Sequence, residues 1–105
     1  MGIGLAGHTA GIMPSPKDSK MFAQLFENKD KWVVGYNAGQ KNNFPMRITV
    51  SISFLCTMVE KAFVYVSGES KKGILNTILN SNNTVDHPAS VVNKMKLVEL
   101  FTDID

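Results

Sequence analysis

The sequence has little of what marks several large classes of protein. Its 105 residues include one cysteine, Cys56, so an internal disulfide is excluded and a reducing, cytoplasmic compartment is expected. No apolar run approaches the roughly 20 residues that a membrane helix needs. The first residues lack a basic segment followed by an apolar one, so no signal peptide is predicted. We therefore expect no membrane association.

The sequence also lacks a large excess of charge of one sign. Eleven Lys and Arg residues against nine Asp and Glu residues give a net charge of +2, and the basic residues are scattered along the chain. Nucleic-acid binding is therefore not expected. His, Cys and carboxylate residues are not grouped at metal-ligand spacing, and no Lys-Ser or Lys-Thr pair follows the glycines as in a phosphate-binding Walker loop. Neither a metal nor a cofactor is predicted.

The composition suits one folded α/β domain, residues 1–105, because 44% of the residues are hydrophobic and 19% are charged. The apolar spacing predicts helices at 17–27, 52–62 and 69–80, strands at 32–36, 46–50, 62–66 and 96–101, and a polar loop at 37–43. The unbroken apolar run at 62–66 is typical of a parallel strand that is buried on both faces. This alternation predicts a three-layer, mostly parallel Rossmann-like sheet with flanking helices.

A glycine-rich loop opens the chain. Residues 2–10 read Gly-Ile-Gly-Leu-Ala-Gly-His-Thr-Ala, and glycines at this spacing let a backbone turn sharply and approach a ligand closely. Such a loop usually joins a parallel strand to a helix, yet almost nothing precedes it here. The sequence is therefore expected to form the later half of a larger α/β domain, or a reduced version of one.

Three features are predicted to lie at the carboxyl ends of strands, where open α/β sheets bind ligands. They are the loop with His8, Arg47 in the strand 46–50, and Lys71 at the start of the third helix. A helix N-terminus beside a lysine suits an anion, so Arg47 and Lys71 together suit a phosphate or a carboxylate. Each feature also has a structural interpretation: a plain turn, a hydrogen-bonded histidine, a solvent-facing strand residue, and a solvated helix face made by Lys71 and Lys72.

These segments resemble the 6-phosphogluconolactonase family, within the wider group that includes glucosamine-6-phosphate deaminase/isomerase. The family's loop reads like Gly-(Ile/Met)-Gly-x-Asp-Gly-His-Thr-Ala, which residues 2–10 match except at Ala6. Its Arg-(Ile/Leu)-Thr, Gly-x-x-Lys and Pro-Ala-Ser segments match residues 47–49, 68–71 and 88–90, in the same order. The resemblance covers essentially the whole chain and implies a partial version of the family fold, without its N-terminal half.

The resemblance implies hydrolysis of 6-phosphoglucono-1,5-lactone, a phosphosugar of the pentose phosphate pathway, without a metal or a cofactor. His8 would be the general base that activates a water molecule. Arg47 and Lys71 would hold the phosphate, and N–H groups of the loop would stabilise the oxyanion. The substrate-binding residues implied in this way are Gly2, Gly4, Gly7, Thr9, Arg47 and Lys71.

Two departures from the family keep other hypotheses open. Ala6 stands where the family has an aspartate, which disfavours the deaminase reaction because that chemistry relies on the acid. The family's first half is also missing from the match. One alternative is a non-catalytic remnant that binds phosphosugars. Another is an interaction module that pairs an exposed sheet edge with a separate first half or with a second copy.

Overall fold

The structure, a computed structural model, describes residues 1–39 and 43–104. Its α-helices are α1 (Ser19–Phe26), α2 (Ile52–Thr57) and α3 (Lys72–Leu79), and its 3-10 helices are Glu69–Lys71 and Pro88–Asn93. Its strands are β1 (Val33–Asn37), β2 (Met46–Val50), β3 (Ala62–Val66) and β4 (Val98–Thr102). The elements follow the sequence patterns, except that the second helix ends at Thr57. Of the predicted loop 37–43, residues 40–42 lie outside the described residues.

Side-chain caps fix where two of the helices begin. The Asp18 carboxylate accepts a hydrogen bond from the amide of Met21 at 3.0 Å, and the Ser51 hydroxyl accepts one from the amide of Phe54 at 3.0 Å. Each cap satisfies an amide that has no partner within its helix, which stabilises the helix by about 1 kcal/mol. The Ser51 cap places α2 directly after β2, at one end of the strand that carries Arg47.

The α/β class and its parallel sheet are confirmed. Strands β3 and β4 pair in parallel from Ala62↔Val98 to Val66↔Thr102, and Gly2 pairs in parallel with Tyr65 on the other edge of β3. Strands β1 and β2 instead form an antiparallel ribbon. The alternation of strands and helices did not predict this pairing. The connection between the two strands is shorter than the dozen or so residues that a parallel crossover needs, so the ribbon is antiparallel.

The parallel sheet is covered on one face. Val64 and Val66 point inward and pack with Leu75 and Ile78 of α3. The alternate residues of the sheet point outward, and they stay largely exposed, at 57% for Phe63, 63% for Tyr65 and 50% for Phe101. The prediction that 62–66 is buried on both faces is therefore wrong, because no described element packs on the outer face. The described chain forms two of the three predicted layers.

A second core joins α1, the ribbon and α2. Phe22 and Phe26 of α1 are fully buried there. Cys56 packs against this core, and burial raises the pKa of its thiol, as expected for a structural rather than a reactive cysteine. Within the described residues, no helix has both the length and the apolar character to cross a bilayer.

Candidate functional site

The glycine loop leaves the parallel sheet near the carboxyl end of β3. The terminal amine of Met1 donates to the Phe63 carbonyl at 2.7 Å, and the amide of Tyr65 donates to the Met1 carbonyl at 2.9 Å. Residues 1–3 therefore run beside β3 and are joined to it by an isolated parallel bridge at Gly2. Since the loop starts from this ladder, it lies at the edge of the sheet where α/β proteins bind ligands.

Hydrogen bonds inside the loop give it a fixed shape. The Gly4 amide donates to the His8 carbonyl and the Gly7 amide donates to the Gly4 carbonyl, both at 2.9 Å. The buried Thr9 hydroxyl donates to the Gly2 carbonyl at 2.7 Å. Gly7 has a φ of +84°, a conformation that favours glycine. The amides of Gly4 and Gly7 are thus already bonded to carbonyls, which limits the oxyanion role that the sequence suggested for the loop.

The His8 ring is half-buried and lies directly over Gly4. A Cβ placed on Gly4 would overlap the Cε1, Nδ1 and Nε2 atoms of this ring. The His8 Nδ1 atom is buried, and it finds no hydrogen-bond partner in the described part of the chain. Burial lowers the pKa of His8 below its ordinary value of 6.5, and the positive charges of Arg47 and Lys71 lower it further. The imidazole is therefore neutral, and able to accept a proton, at neutral pH.

An open cleft of about 410 Å³ lies beside His8. The residues that line it are Gly2, Ile3, Gly4, His8, Thr9, Ala10 and Lys71. The cleft thus brings together most of the residues that the sequence singled out, although their roles stay predictions. Gly7 is instead backed by His87 and Ile74, and its carbonyl accepts a hydrogen bond from the Ala89 amide at 2.8 Å.

The prediction that Arg47 lies at the carboxyl end of a strand is wrong, because it is the second residue of the antiparallel strand β2. It does not line the cleft, although its charge acts on His8. It is half-buried and pairs across the ribbon with Tyr36. The Tyr36 hydroxyl donates to the Gly11 carbonyl at 2.7 Å and accepts from the Met13 amide at 3.1 Å. In the same ribbon, the Thr49 hydroxyl accepts from the Gly11 amide at 3.0 Å. The ribbon is therefore fastened to the segment that follows His8, which fixes the place of Arg47 relative to the loop.

Lys71 ends the 3-10 helix that follows β3. The chain turns at Gly68, which has a φ of +95°, and the Lys71 amide donates to the Gly68 carbonyl at 3.0 Å. The Gly68 amide donates to the Asp103 carboxylate at 3.0 Å. An anion was expected at the backbone donors of this helix start, and Asp103 already binds the amide of the residue that caps it. Within the cleft lining, the cationic group is the Lys71 ammonium.

The three basic groups support one type of chemistry. A neutral imidazole at the wall of an open cleft can take a proton from a water molecule, and a lysine in the same wall can hold an anionic group of the substrate. Among residues 1–39 and 43–104, no three His, Cys, Asp or Glu side chains converge in an arrangement that could hold a metal ion. The neutral imidazole and the lysine ammonium in one wall suit proton transfer beside an anionic group.

Sequence reasoning missed three supporting residues. Tyr36 and Thr49 hold the segment after His8, and Asp103 holds the turn before Lys71. These contacts join parts of the chain 25 to 38 residues apart. No motif or periodicity marks such pairs, so only the folded chain reveals them.

Comparisons with known proteins found a matching family and a similar fold. The model of the family described as glucosamine-6-phosphate isomerases/6-phosphogluconolactonase matches residues 1–101. The crystal structure of a 6-phosphogluconolactonase from Shewanella baltica OS155 has a similar fold, with a TM-score of 0.74 and 22% sequence identity. That match covers 96% of this chain and 41% of the other, so the chain spans about two-fifths of that protein. No curated protein sequence matches the chain.

Proposed function

The chain belongs to the glucosamine-6-phosphate isomerase/6-phosphogluconolactonase family, and on that premise we propose that it hydrolyses 6-phosphoglucono-1,5-lactone to 6-phosphogluconate. The reaction is the opening of a cyclic carboxylic ester by water, and the proposal assigns it to the pentose phosphate pathway. The single cysteine fits a reducing compartment, so we assign the activity to the cytoplasm.

The observation that carries the proposal is the position of His8 and Lys71 in the wall of one cleft. A lactonase needs a base that is neutral at working pH, and the lowered pKa of His8 meets this need. It also needs a cation that recognises the phosphate at the far end of the sugar. Lys71 is available in the cleft, and the charge of Arg47 acts on the same region. We therefore assign the phosphate to Lys71 and Arg47.

The proposed reaction has two steps. His8 takes a proton from a water molecule as its oxygen attacks the lactone carbonyl carbon, which gives a tetrahedral oxyanion and an imidazolium. The intermediate then collapses, the bond between the carbonyl carbon and the ring oxygen breaks, and the imidazolium returns its proton to the departing oxygen. The products are a carboxylic acid and a hydroxyl on one open chain, and His8 is neutral again.

A pair of neighbouring lysines provides the test of this proposal. Lys71 lines the cleft, whereas Lys72 is exposed as the first residue of α3. Because a hydrogen bond to a charged group is worth about 1.5–3 kcal/mol, Lys71→Ala should raise the KM for the lactone by about 10- to 100-fold. Acid release at constant pH, corrected for spontaneous hydrolysis, measures the rate.

The matched control is Lys72→Ala, which removes the same charge one residue away. Its KM should stay within about twofold of the unsubstituted chain, as expected for a surface lysine. Equal increases in KM for the two variants would mean that only general charge attraction is at work. A folded chain with no rate above the spontaneous one would contradict the lactonase proposal itself.

A second candidate function follows from the outer face of the parallel sheet, which Phe63, Tyr65 and Phe101 form together with Glu99. The accessible surface of the chain is 6376 Å², about 600 Å² more than the roughly 5,800 Å² expected for a folded monomer of this mass. Parallel sheets are normally covered on both faces. We propose that this chain is a subunit, and that a second copy covers its outer face in the assembled protein.

The charges at the margin of this face suit a symmetric pair. Lys61 binds Glu99 at 3.0 Å and lies 5.0 Å from the centre of the Phe63 ring. In a two-fold pair, the lysine of one copy can face the glutamate of the other. Sedimentation velocity should show a dimer that forms as concentration rises, and Phe63→Ser with Tyr65→Ser should abolish it. A wild-type chain that remains monomeric at high concentration would contradict this self-association.

A further inference from the structure

The most tightly constrained contact of the site is between Gly4 and His8. A Cβ added to Gly4 would have three His8 ring atoms as its nearest neighbours, each closer than any real Cβ contact. The backbone of Gly4 does not require glycine, because its φ lies outside the positive range that L-residues avoid. Glycine is therefore needed at this position for space and not for conformation. The space is occupied by the ring of the proposed base.

The backbone joins the two residues as well. The Gly4 amide donates to the carbonyl of His8 itself at 2.9 Å, and the Gly4 carbonyl accepts from Gly7 at the same distance. The ring thus lies on the α-carbon of the residue to which its own backbone is bonded. Since the His8 Nδ1 atom finds no hydrogen-bond partner among the described residues, packing on Gly4 takes the place of the hydrogen bond that commonly orients a catalytic histidine.

We propose that Gly4 is a positioning residue, whose lack of a side chain seats the His8 ring in the orientation that faces the cleft. The resemblance implied only that Gly4 binds substrate, and the amide that could have done so is bonded to His8. The inference rests on the proposed function for its kinetic consequence. The seating of the ring itself does not depend on that function, so the two can be tested apart.

The test is Gly4→Ala, read first by NMR titration of the His8 ring. The new methyl group should push the ring off its seat and into solvent. Because burial is the largest cause of the lowered pKa of His8, the measured pKa should rise towards 6.5. The charges that face His8 are Arg47 from β2 and Lys71 from the 3-10 helix, and both remain in the variant. The loss of burial is therefore expected to contribute most of the rise, and a ring that moves away from these charges changes in the same direction.

Two other glycines provide controls. A Cβ on Gly2 or on Gly73 would meet no heavy atom within 4 Å. Gly2→Ala changes the same loop and should leave the titration of His8 in place. Gly73→Ala lies on α3, outside the cleft, and should retain the wild-type kcat and KM. If Gly2→Ala shifts the His8 titration as far as Gly4→Ala does, the seat is not specific to Gly4 and the proposal is wrong.

Kinetics and stability complete the test. Gly4→Ala should lower kcat by about 10- to 100-fold with little change in KM, because a misplaced base slows chemistry without removing the phosphate contacts. Its loss of thermal stability should shrink by at least half when His8→Ala is also present, because the overlapping ring is then absent. If Gly4→Ala lowers the stability equally with and without His8→Ala, the His8 ring is not positioned by Gly4.

The outcomes separate this inference from the proposed function. A chain without lactonase activity, in which Gly4→Ala still raises the His8 pKa and still couples to His8→Ala in stability, would refute the function and support the seat. An active chain in which Gly4→Ala changes neither kcat nor the titration of His8 would support the function and would refute the positioning role of Gly4.

Discussion

Replacing His8 by alanine is expected to lower kcat/KM for lactone hydrolysis by about 100- to 10,000-fold, the usual contribution of a general base. Among the described residues that line the cleft, only His8 and Lys71 carry a basic side chain, and Lys71 is a cation. The KM should change far less, since the phosphate contacts remain. Initial rates over a range of lactone concentrations, corrected for spontaneous hydrolysis, measure both effects.

The pH profile of the unsubstituted chain checks the same role. Only the neutral imidazole can accept a proton, and burial, Arg47 and Lys71 all lower the pKa of His8. The rate should therefore rise with pH through a pKa below 6.5 and level off above it. His8→Ala should lose this rising limb. A limb that persists in His8→Ala, or one that is centred above pH 6.5, would contradict the assignment.

The second histidine serves as the matched control. His87 lies against Gly7 and is not among the residues that line the cleft. His87→Gln should therefore keep the rising limb at the same pH. An amide NMR spectrum that remains dispersed in His8→Ala would show that its loss of rate comes from chemistry and not from unfolding. If His87→Gln instead removed the limb, the base would have been assigned to the wrong histidine.

Local patterns in the sequence predicted the positions of the strands and helices well. They did not predict how the strands pair or what packs on them. The alternation in 46–50 identified a strand, and the structure has β2 at Met46–Val50. Its antiparallel partner could not be derived from that period. The apolar run 62–66 was also identified as a strand, but the exposure of Phe63 depends on what packs over the sheet. Such packing is a property of the tertiary structure and not of a five-residue segment.

A topological rule predicted part of the candidate site, namely the proximity of the loop and the lysine. Carboxyl ends of parallel strands share one edge of a sheet, so a loop beside β3 and a lysine after β3 were expected to meet, and His8 and Lys71 line one cleft. Hydrogen bonding could not be predicted in this way. An anion was expected at the helix start beside Lys71, but the contact of Asp103 with the Gly68 amide there joins residues 35 positions apart. The seat of His8 on Gly4 likewise depends on a rotamer that no motif encodes.

Replacing Phe26 by alanine is expected to have the largest effect on stability. Phe26 is fully buried. Its ring packs edge-to-face with two others, and its centroid lies 4.8 Å from that of Phe22 and 4.9 Å from that of Tyr36. Large-to-small changes of a buried phenylalanine lower the free energy of unfolding by about 3–5 kcal/mol, out of a total of about 5–15 kcal/mol for a typical domain. Urea denaturation followed by circular dichroism measures the loss.

An exposed phenylalanine supplies the comparison. Phe63→Ala removes the same ring from the outer face of the parallel sheet, where the side chain is 57% exposed. The monomer should lose no more than about 1 kcal/mol. Similar losses for Phe26→Ala and Phe63→Ala would mean that the core does not depend on the aromatic cluster of α1 and the ribbon, contrary to the packing described above.

Phe26→Ala should also affect the candidate site, because Tyr36 contacts both Phe26 and the segment after His8. The Tyr36 ring packs edge-to-face with Phe26, and its hydroxyl bonds Gly11 and Met13 just after the loop. Loss of the Phe26 ring removes the support that orients Tyr36, so the segment behind His8 should loosen before the chain unfolds. Tyr36→Phe separates the two effects, since it keeps the ring contact and removes both hydrogen bonds. If hydrogen exchange at Gly11 and Met13 speeds up in Tyr36→Phe but stays unchanged in Phe26→Ala, the aromatic cluster does not support the loop.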